Sequence, residues 1–403
     1  MDAMPLTILC IASYHKGEEF LRQCKREGCR VVLLTSKSLE EAEWPRESID
    51  QIYYIPDVDK EWNMNDVIYG VSFMARTEPI DRIVALDDYD VEKAAALREH
   101  LRIAGMGDTT TRHFRDKLAM RTKASDSGIA VPPFVHVLNH QKIRQYLEAV
   151  PAPYVLKPRL QAGAIGIKKI VTGDELWGTL DQLGDKQSFY LLEQFIPGDI
   201  YHVDSILYDY ELQFAMASRY GLPPMEVAHQ GRVFSSRTMR RDDPDEQALQ
   251  SLNRTVLRAL GLKQGVSHTE FIKRREDGQL FFLETSARVG GAHIVDLVEG
   301  ATGLNLWAEW AKIETLPAGK GYHAPTPRQN YGGLMISLAK QEWPDLTAYN
   351  DPEVIWKLGK RHHAGLVVSS PNYDRVGHLL DDYTRRFYAD FFTSEPMRDR
   401  PSS

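Results

Sequence analysis

The chain has 403 residues, more than one ordinary core holds, so two or three lobes are expected. Its 43% hydrophobic and 26% charged residues describe a soluble globular protein, and a net charge of −7 with mixed signs argues against broad nucleic-acid binding. No apolar run approaches the roughly 18 residues of a membrane helix, and three cysteines (Cys10, Cys24, Cys29) without metal spacing point to a reducing, cytoplasmic setting.

The chain opens on alternating strand and helix patterns. LTILCIA (Leu6–Ala12) lacks a basic lead and reads as a buried strand, not a signal peptide. A helix over Glu18–Glu27 stops at Gly28, and RVVLLT (Arg30–Thr35) and QIYYIP (Gln51–Pro56) follow as strands. RIVALDD (Arg82–Asp88) is a fourth strand, followed by a helix over Val91–Ile103 closed by Gly105. Such alternation predicts a Rossmann-like parallel sheet, although no G-x-G-x-x-G follows the first strand, so a dinucleotide site there is not expected. A helix is expected over 112–127. Tyr154–Ile170 reads as strand, flexible loop, strand, and Phe189–Asp199 as a strand running into a turn. Tyr201–Asp209 and Glu211–Tyr220 look antiparallel, and a polar loop (Gly221–Arg241) and a helix (Asp245–Leu260) follow. HTEFIKRREDGQLFFLET then carries a hairpin signal at Glu276-Asp277-Gly278. The tail adds two strand-like runs, GGLMISLA and AGLVVSS, and an amphipathic helix over Asp374–Phe392.

The hairpin concentrates the chemistry. It places Glu270 and Glu284 at neighbouring positions on one face. Two such carboxylates repel unless a cation sits between them, and Mg²⁺ suits the place because phosphate oxygens can complete its shell. Ser286 shares the face of Glu284 and offers a neutral oxygen. Arg288 follows at the same period of two, where a guanidinium can meet a phosphoryl group or a carboxylate. A solvated hairpin with ordinary surface charges is the alternative. Lys157 ends the strand YVL, and the loop beyond it holds Ala162, Gly163, Ala164 and Gly166, small residues whose backbone can cradle a polyphosphate. In LLEQFIPGD, Glu193, Gln194, Phe195 and Ile196 can present backbone groups and apolar walls to a flat base, with Asp199 or His202 reaching a ribose hydroxyl. Lys117 is uninformative on its own.

Taken in order, Lys117, Lys157 with its glycine loop, Glu193-x-Phe-Ile, Glu270 and Glu284-x-Ser-x-Arg resemble the ATP-grasp superfamily over residues 1–310. The resemblance implies an α/β and α+β architecture: an N-terminal domain (1–110), a first ATP-grasp lobe (111–195), a second lobe carrying the metal site (196–320), and a C-terminal completion (321–403). It implies ATP with Mg²⁺ or Mn²⁺, phosphate contacts from Lys117 and Lys157, a lid from Gly163 to Lys168, an adenine hinge at Glu193–Ile196, and His202 near the ribose. Glu270 and Glu284 match the metal-binding acids. Ser286 stands where asparagine is more usual. Arg288 matches the arginine facing the reacting phosphoryl group.

The resemblance further implies a carboxylate activated as an acyl phosphate and captured by an amine, with release of ADP. ARVGG looks like the amino-acid and dipeptide ligases, so Gly290, Gly291 and His293 are expected on the substrate side. Arg232 and Arg237 in the polar loop are candidates for a substrate carboxylate. A biotin-carboxylase or carbamoyl-phosphate-type enzyme is disfavoured because Val289–Ala292 lacks the glutamine and glutamate of the bicarbonate pocket. A non-catalytic ATP-binding module is the other alternative. The partners expected are small-molecule acids and amines, with no nucleic acid, no membrane, and a homodimer as the default assembly.

Overall fold

The computed structural model describes residues 5–58, 61–317 and 319–394. The N-terminal sheet contains β1 (Thr7–Ala12), β2 (Arg30–Ser36), β3 (Gln51–Ile55) and β4 (Arg82–Ala85), all parallel, in the order β3-β2-β1-β4. Every residue of β1 is buried, which explains its unbroken apolar run. The order reverses between β1 and β4, and this opens a crevice at their C-terminal ends. Gly17 (φ 85°) starts the helix Glu18–Arg26 beside that crevice, and a Cβ there would stand 2.6 Å from Leu86.

A small antiparallel sheet follows: β5 (Phe134–His136), β6 (Tyr154–Pro158), β7 (Lys168–Ile170) and β8 (Tyr190–Gln194), ordered β5-β8-β6-β7. The helices His140–Ala149 and Gly173–Leu183 back it through Ile143, Leu156, Leu176 and Leu192. The large antiparallel sheet holds β9 (Gly198–Tyr208), β10 (Glu211–Tyr220), β11 (Phe234–Thr238), β12 (Gly265–Arg274), β13 (Leu280–Ser286), β14 (Tyr331–Leu338), β15 (Val354–Lys357) and β16 (His363–Ser370). Its order is β13-β12-β9-β10-β11-β14-β16-β15. The helix Tyr373–Asp390 covers β14 and β16 through Val376, Leu380, Tyr383 and Phe387. This is the expected mixture of a parallel domain and two antiparallel lobes. Among the described residues no helix is long and apolar enough to cross a membrane.

The polar loop expected over Gly221–Arg241 is instead ordered: it contains the helix Pro224–Gln230 and β11, which lies between β10 and β14. The strand was hidden because its buried positions are Ser236 and Thr238, so no apolar alternation marks it. The helix expected from residue 112 begins at Lys117, where the Asp116 side chain accepts from the Leu118 N–H at 2.9 Å. Its inner face, Met120 and Ala124, joins Val203, Phe271 and Phe282 in a core beneath the large sheet. The N-terminal domain is docked on that lobe too, with Phe20 edge-on to Trp310 at 5.1 Å.

Candidate active site

A cavity of about 360 Å³ lies where the three sheets converge. Glu270 and Glu284 stand directly opposite each other in the β12–β13 register, next to a bulge between Glu270 and Phe271. Both line the cavity, with Ser286 and Arg288 beyond them. Phe281 and Phe282 are buried on the same strand, so the apolar run anchors β13 while its end projects the polar groups.

Each acid has a partner. The Lys117 ammonium lies 3.1 Å from Glu284 and also donates to the Gln161 carbonyl at 2.6 Å. Burial pushes the Glu284 carboxyl up, but Lys117 and Lys157 outweigh it and hold it below the ordinary range. Glu270 accepts from the Tyr220 hydroxyl at 2.8 Å. Lys157 is ion-paired with Glu193, which also takes Arg121 at 3.0 Å. Burial alone would raise Glu193, yet these two cations hold it low. Arg121 is fully buried and donates onward to the Leu283 carbonyl, tying the helix Lys117–Asp126 to β13. Sequence reasoning missed Arg121, since one arginine inside an amphipathic helix carries no signal of burial.

In the loop expected to form a lid, Gly163, Ala164 and Gly166 all have positive φ. Gln161, Ala162, Gly163 and Ala164 face the cavity, whereas Gly166 packs against Pro158 and Lys168 is exposed at the start of β7. Few apolar contacts anchor this loop. We expect amide hydrogen exchange over 161–166 to slow at least severalfold on addition of ATP and Mg²⁺; unchanged exchange would mean that the loop does not close on phosphate.

At the expected hinge, Glu193, Gln194, Phe195 and Ile196 all line the cavity. The N–H groups of Gln194 and Phe195 are already spent on the carbonyls of Pro133 and Pro153, at 2.8 and 2.9 Å, so neither can donate to a base. The Glu193 side chain turns toward Lys157 instead of outward.

Several expected contacts are not brought to the cavity. Asp199 is half-buried outside the cavity and pairs with Arg219 at 2.8 Å. His202 follows Ile200 on the same face of β9 but is fully buried under the Tyr220 ring, with centroids 4.7 Å apart. Arg232 is exposed and holds Gln230. Arg237 stacks on Tyr373 at 3.4 Å, because strand alternation turns it away from the cavity that Phe234 lines. His293 stands just before the helix Ile294–Thr302 with its ring tilted against Trp356 at 4.7 Å, and of the glycine pair only Gly291 reaches the wall. Gly290 leans on Asp204 and His268, where a Cβ would stand 3.0 Å from each.

Asp204 and His268 were not anticipated, nor was Tyr220. The Asp204 carboxylate receives His202 Nδ1 at 2.7 Å and His268 Nδ1 at 2.9 Å. His268 lies within 3.3 Å of the Tyr220 hydroxyl, so a buried chain runs from Asp204 to the Glu270 carboxylate. The H-x-E spacing could have revealed His268, since residues two apart share a strand face. Burial disfavours its imidazolium, but Asp204 outweighs that and lifts His268 from an ordinary 6.5 to about 9. A raised pKa stabilises the fold fully below pH 6.5, and the contribution is lost as pH rises through 9. In denaturant titrations of the metal-free protein, the wild type should lose up to about 3 kcal/mol more between pH 6.5 and pH 10 than His268→Gln does. Equal losses would show that the pair carries no such linkage.

The ATP-grasp domain family matches residues 150–296. An L-arginine-specific L-amino acid ligase of Bacillus subtilis is 27% identical over 364 residues, covering 84% of this chain and 86% of the relative. An alanine–anticapsin ligase of Bacillus subtilis (strain 168) is 23% identical over 299 residues, covering 67% of this chain and 60% of the relative. In fold, the crystal structure of an L-amino acid ligase from Bacillus licheniformis superposes with a TM-score of 0.74 at 16% identity, covering 96% of this chain and 99% of that one. The chain is therefore similar to ATP-grasp carboxylate–amine ligases, with the family's domain matched over residues 150–296.

Proposed function

We propose that this enzyme activates the carboxylate of an amino acid with ATP and joins it to the amine of a second substrate. The observation that carries the reading is the Glu270–Glu284 pair standing in register in one cavity with Arg288 and the glycine loop. In this reading ATP lies between the two lobes. Lys117 and Lys157 meet its phosphates, and Val155, Phe195, Ile196 and Leu283 wall the base. The paired acids, with Ser286 as a neutral oxygen, fit Mg²⁺ or Mn²⁺ by charge and ligand type. Bound there, the metal neutralises phosphate charge and polarises the phosphoryl group being transferred. Arg288 faces the substrate carboxylate.

The carboxylate oxygen attacks the γ-phosphorus and ADP leaves. The neutral amine then attacks the acyl carbon, phosphate departs with the C–O electron pair, and the spare amine proton passes to solvent. The three buried, unpaired thiols support a reducing, cytoplasmic location. A phosphate-release screen of amino acids, singly and in pairs, with mass analysis of the products, tests the proposal. It should yield ADP, phosphate and a condensed product. Stoichiometric AMP would exclude the acyl-phosphate route.

A further inference from the structure

A second cavity, of about 440 Å³, shares no lining residue with the first and lies on the seam between the N-terminal domain and the large sheet. Its volume falls within the roughly 300–1,000 Å³ of small-molecule sites. The N-terminal domain supplies Arg82 and Ile83 of β4 and Arg98 of the helix Val91–Leu101. The opposite wall carries Trp310 and Glu314 of the helix Leu306–Glu314, Leu262 ahead of β12, and Ala287, the chain neighbour of Arg288.

This cavity holds charges of opposite sign apart. Glu314 is half-buried, accepts from the Trp310 indole N–H at 3.0 Å, and forms no ion pair among the described residues. Arg82 and Arg98 line the same space and form none either. Arg98 donates to the carbonyls of Ile83 at 2.9 Å and Met106 at 3.0 Å, and Arg82 to that of Asp81 at 2.9 Å. Gly105 (φ 147°) gives Arg98 its room, since a Cβ there would stand 2.7 Å from Arg98 Cδ. Burial pushes the Glu314 carboxyl up, while Arg98 and Arg82 pull it down from across the cavity. Charges enclosed together ordinarily close onto each other, because an unpaired one is costly to keep from water. Here backbone carbonyls and an indole fix them on opposite walls with open space between. A ligand that carries both charges meets each without moving either.

We propose that the second cavity is a regulatory site for a free α-amino acid, with its ammonium on Glu314, its carboxylate on Arg82 and Arg98, and its side chain against Ile83, Leu262 and Trp310. The regulatory meaning, unlike the binding, rests on the ligase reading above. Exposed Lys263 at the same cavity adds a third cation, which favours entry of a carboxylate. A ligand bound there touches both walls of the seam. It therefore stabilises the docking that brings Asp88 to Arg288, and Ala287 connects it to that arginine through a single peptide bond.

The test titrates the standard amino acids calorimetrically, without nucleotide, into the wild type, Glu314→Gln and Arg82→Ala. At least one should bind the wild type, and its affinity should fall ~30-fold or more in each variant. Its desamino analogue should bind the wild type about as weakly as the amino acid binds Glu314→Gln. Added to a ligation assay, the same amino acid should change phosphate release by about fivefold or more in the wild type. It should leave Glu314→Gln at its basal rate, which should match that of the unliganded wild type. No binding by any amino acid, or binding that survives both substitutions, would overturn the proposal. Binding that leaves phosphate release unchanged would overturn the regulatory role. Arg82 is partly exposed, so its variant reads the site even if Glu314→Gln does not fold. Because binding is read without nucleotide, it stands or falls separately from the ligase reading, which fails only if no acid and amine give ADP.

Discussion

Glu284→Gln should reduce turnover by on the order of 10³ or more while leaving the protein folded. The carboxylate stands in register with Glu270, so the pair forms a concentrated negative site at the strand end. An amide keeps the shape but removes half of that charge. It also removes the counter-charge that faces Lys117 at 3.1 Å, and this ammonium would then compete with the metal for the phosphates. The fold should tolerate the change because the side chain is 33% exposed and the register of β13 rests on the buried Phe281 and Phe282. Steady-state kinetics with a melting curve on the same sample check both halves. Wild-type turnover in this variant would remove Glu284 from the metal site.

Arg288→Lys should cost on the order of 10²–10³ in turnover, with the KM for ATP changing far less. The guanidinium reaches Asp88 through one nitrogen and the Val289 carbonyl through another, which fixes its plane while leaving Nε free. A lysine keeps the charge but has one nitrogen, so it can hold Asp88 or face the reacting carboxylate, not both. In the proposed reading the nucleotide is held elsewhere, by the lysines and the apolar walls, which separates the effect on turnover from that on ATP binding. Normal turnover with severely weakened ATP binding would make Arg288 a ground-state anchor.

Much of the site is written locally. The turn at Glu276-Asp277-Gly278 and the period of two along β12 and β13 place Glu270, Glu284, Ser286 and Arg288 together without any knowledge of the rest of the chain. Alternating strands and helices likewise identify the N-terminal parallel sheet. What covers a strand face is not local. The pattern places His202 on the face of Ile200, yet only the folded chain lays Tyr220 over it. Arg237 resembles a ligand-binding arginine until β11 is known to be a strand that turns it onto Tyr373. Asp88 lies 200 residues from its partner Arg288 and joins the site only because the N-terminal domain docks against the second lobe. Arg121 is the same case in another helix: its burial depends on Glu193, which arrives from β8.

The central claim is that a substrate carboxylate is phosphorylated before the amine attacks. Ligation with an amino acid carrying ¹⁸O in its carboxylate tests this directly, by mass analysis of the released phosphate. One labelled oxygen should pass to phosphate for each condensed product formed, since the acyl C–O bond is the one broken. Unlabelled phosphate, or label recovered in AMP, would contradict the account.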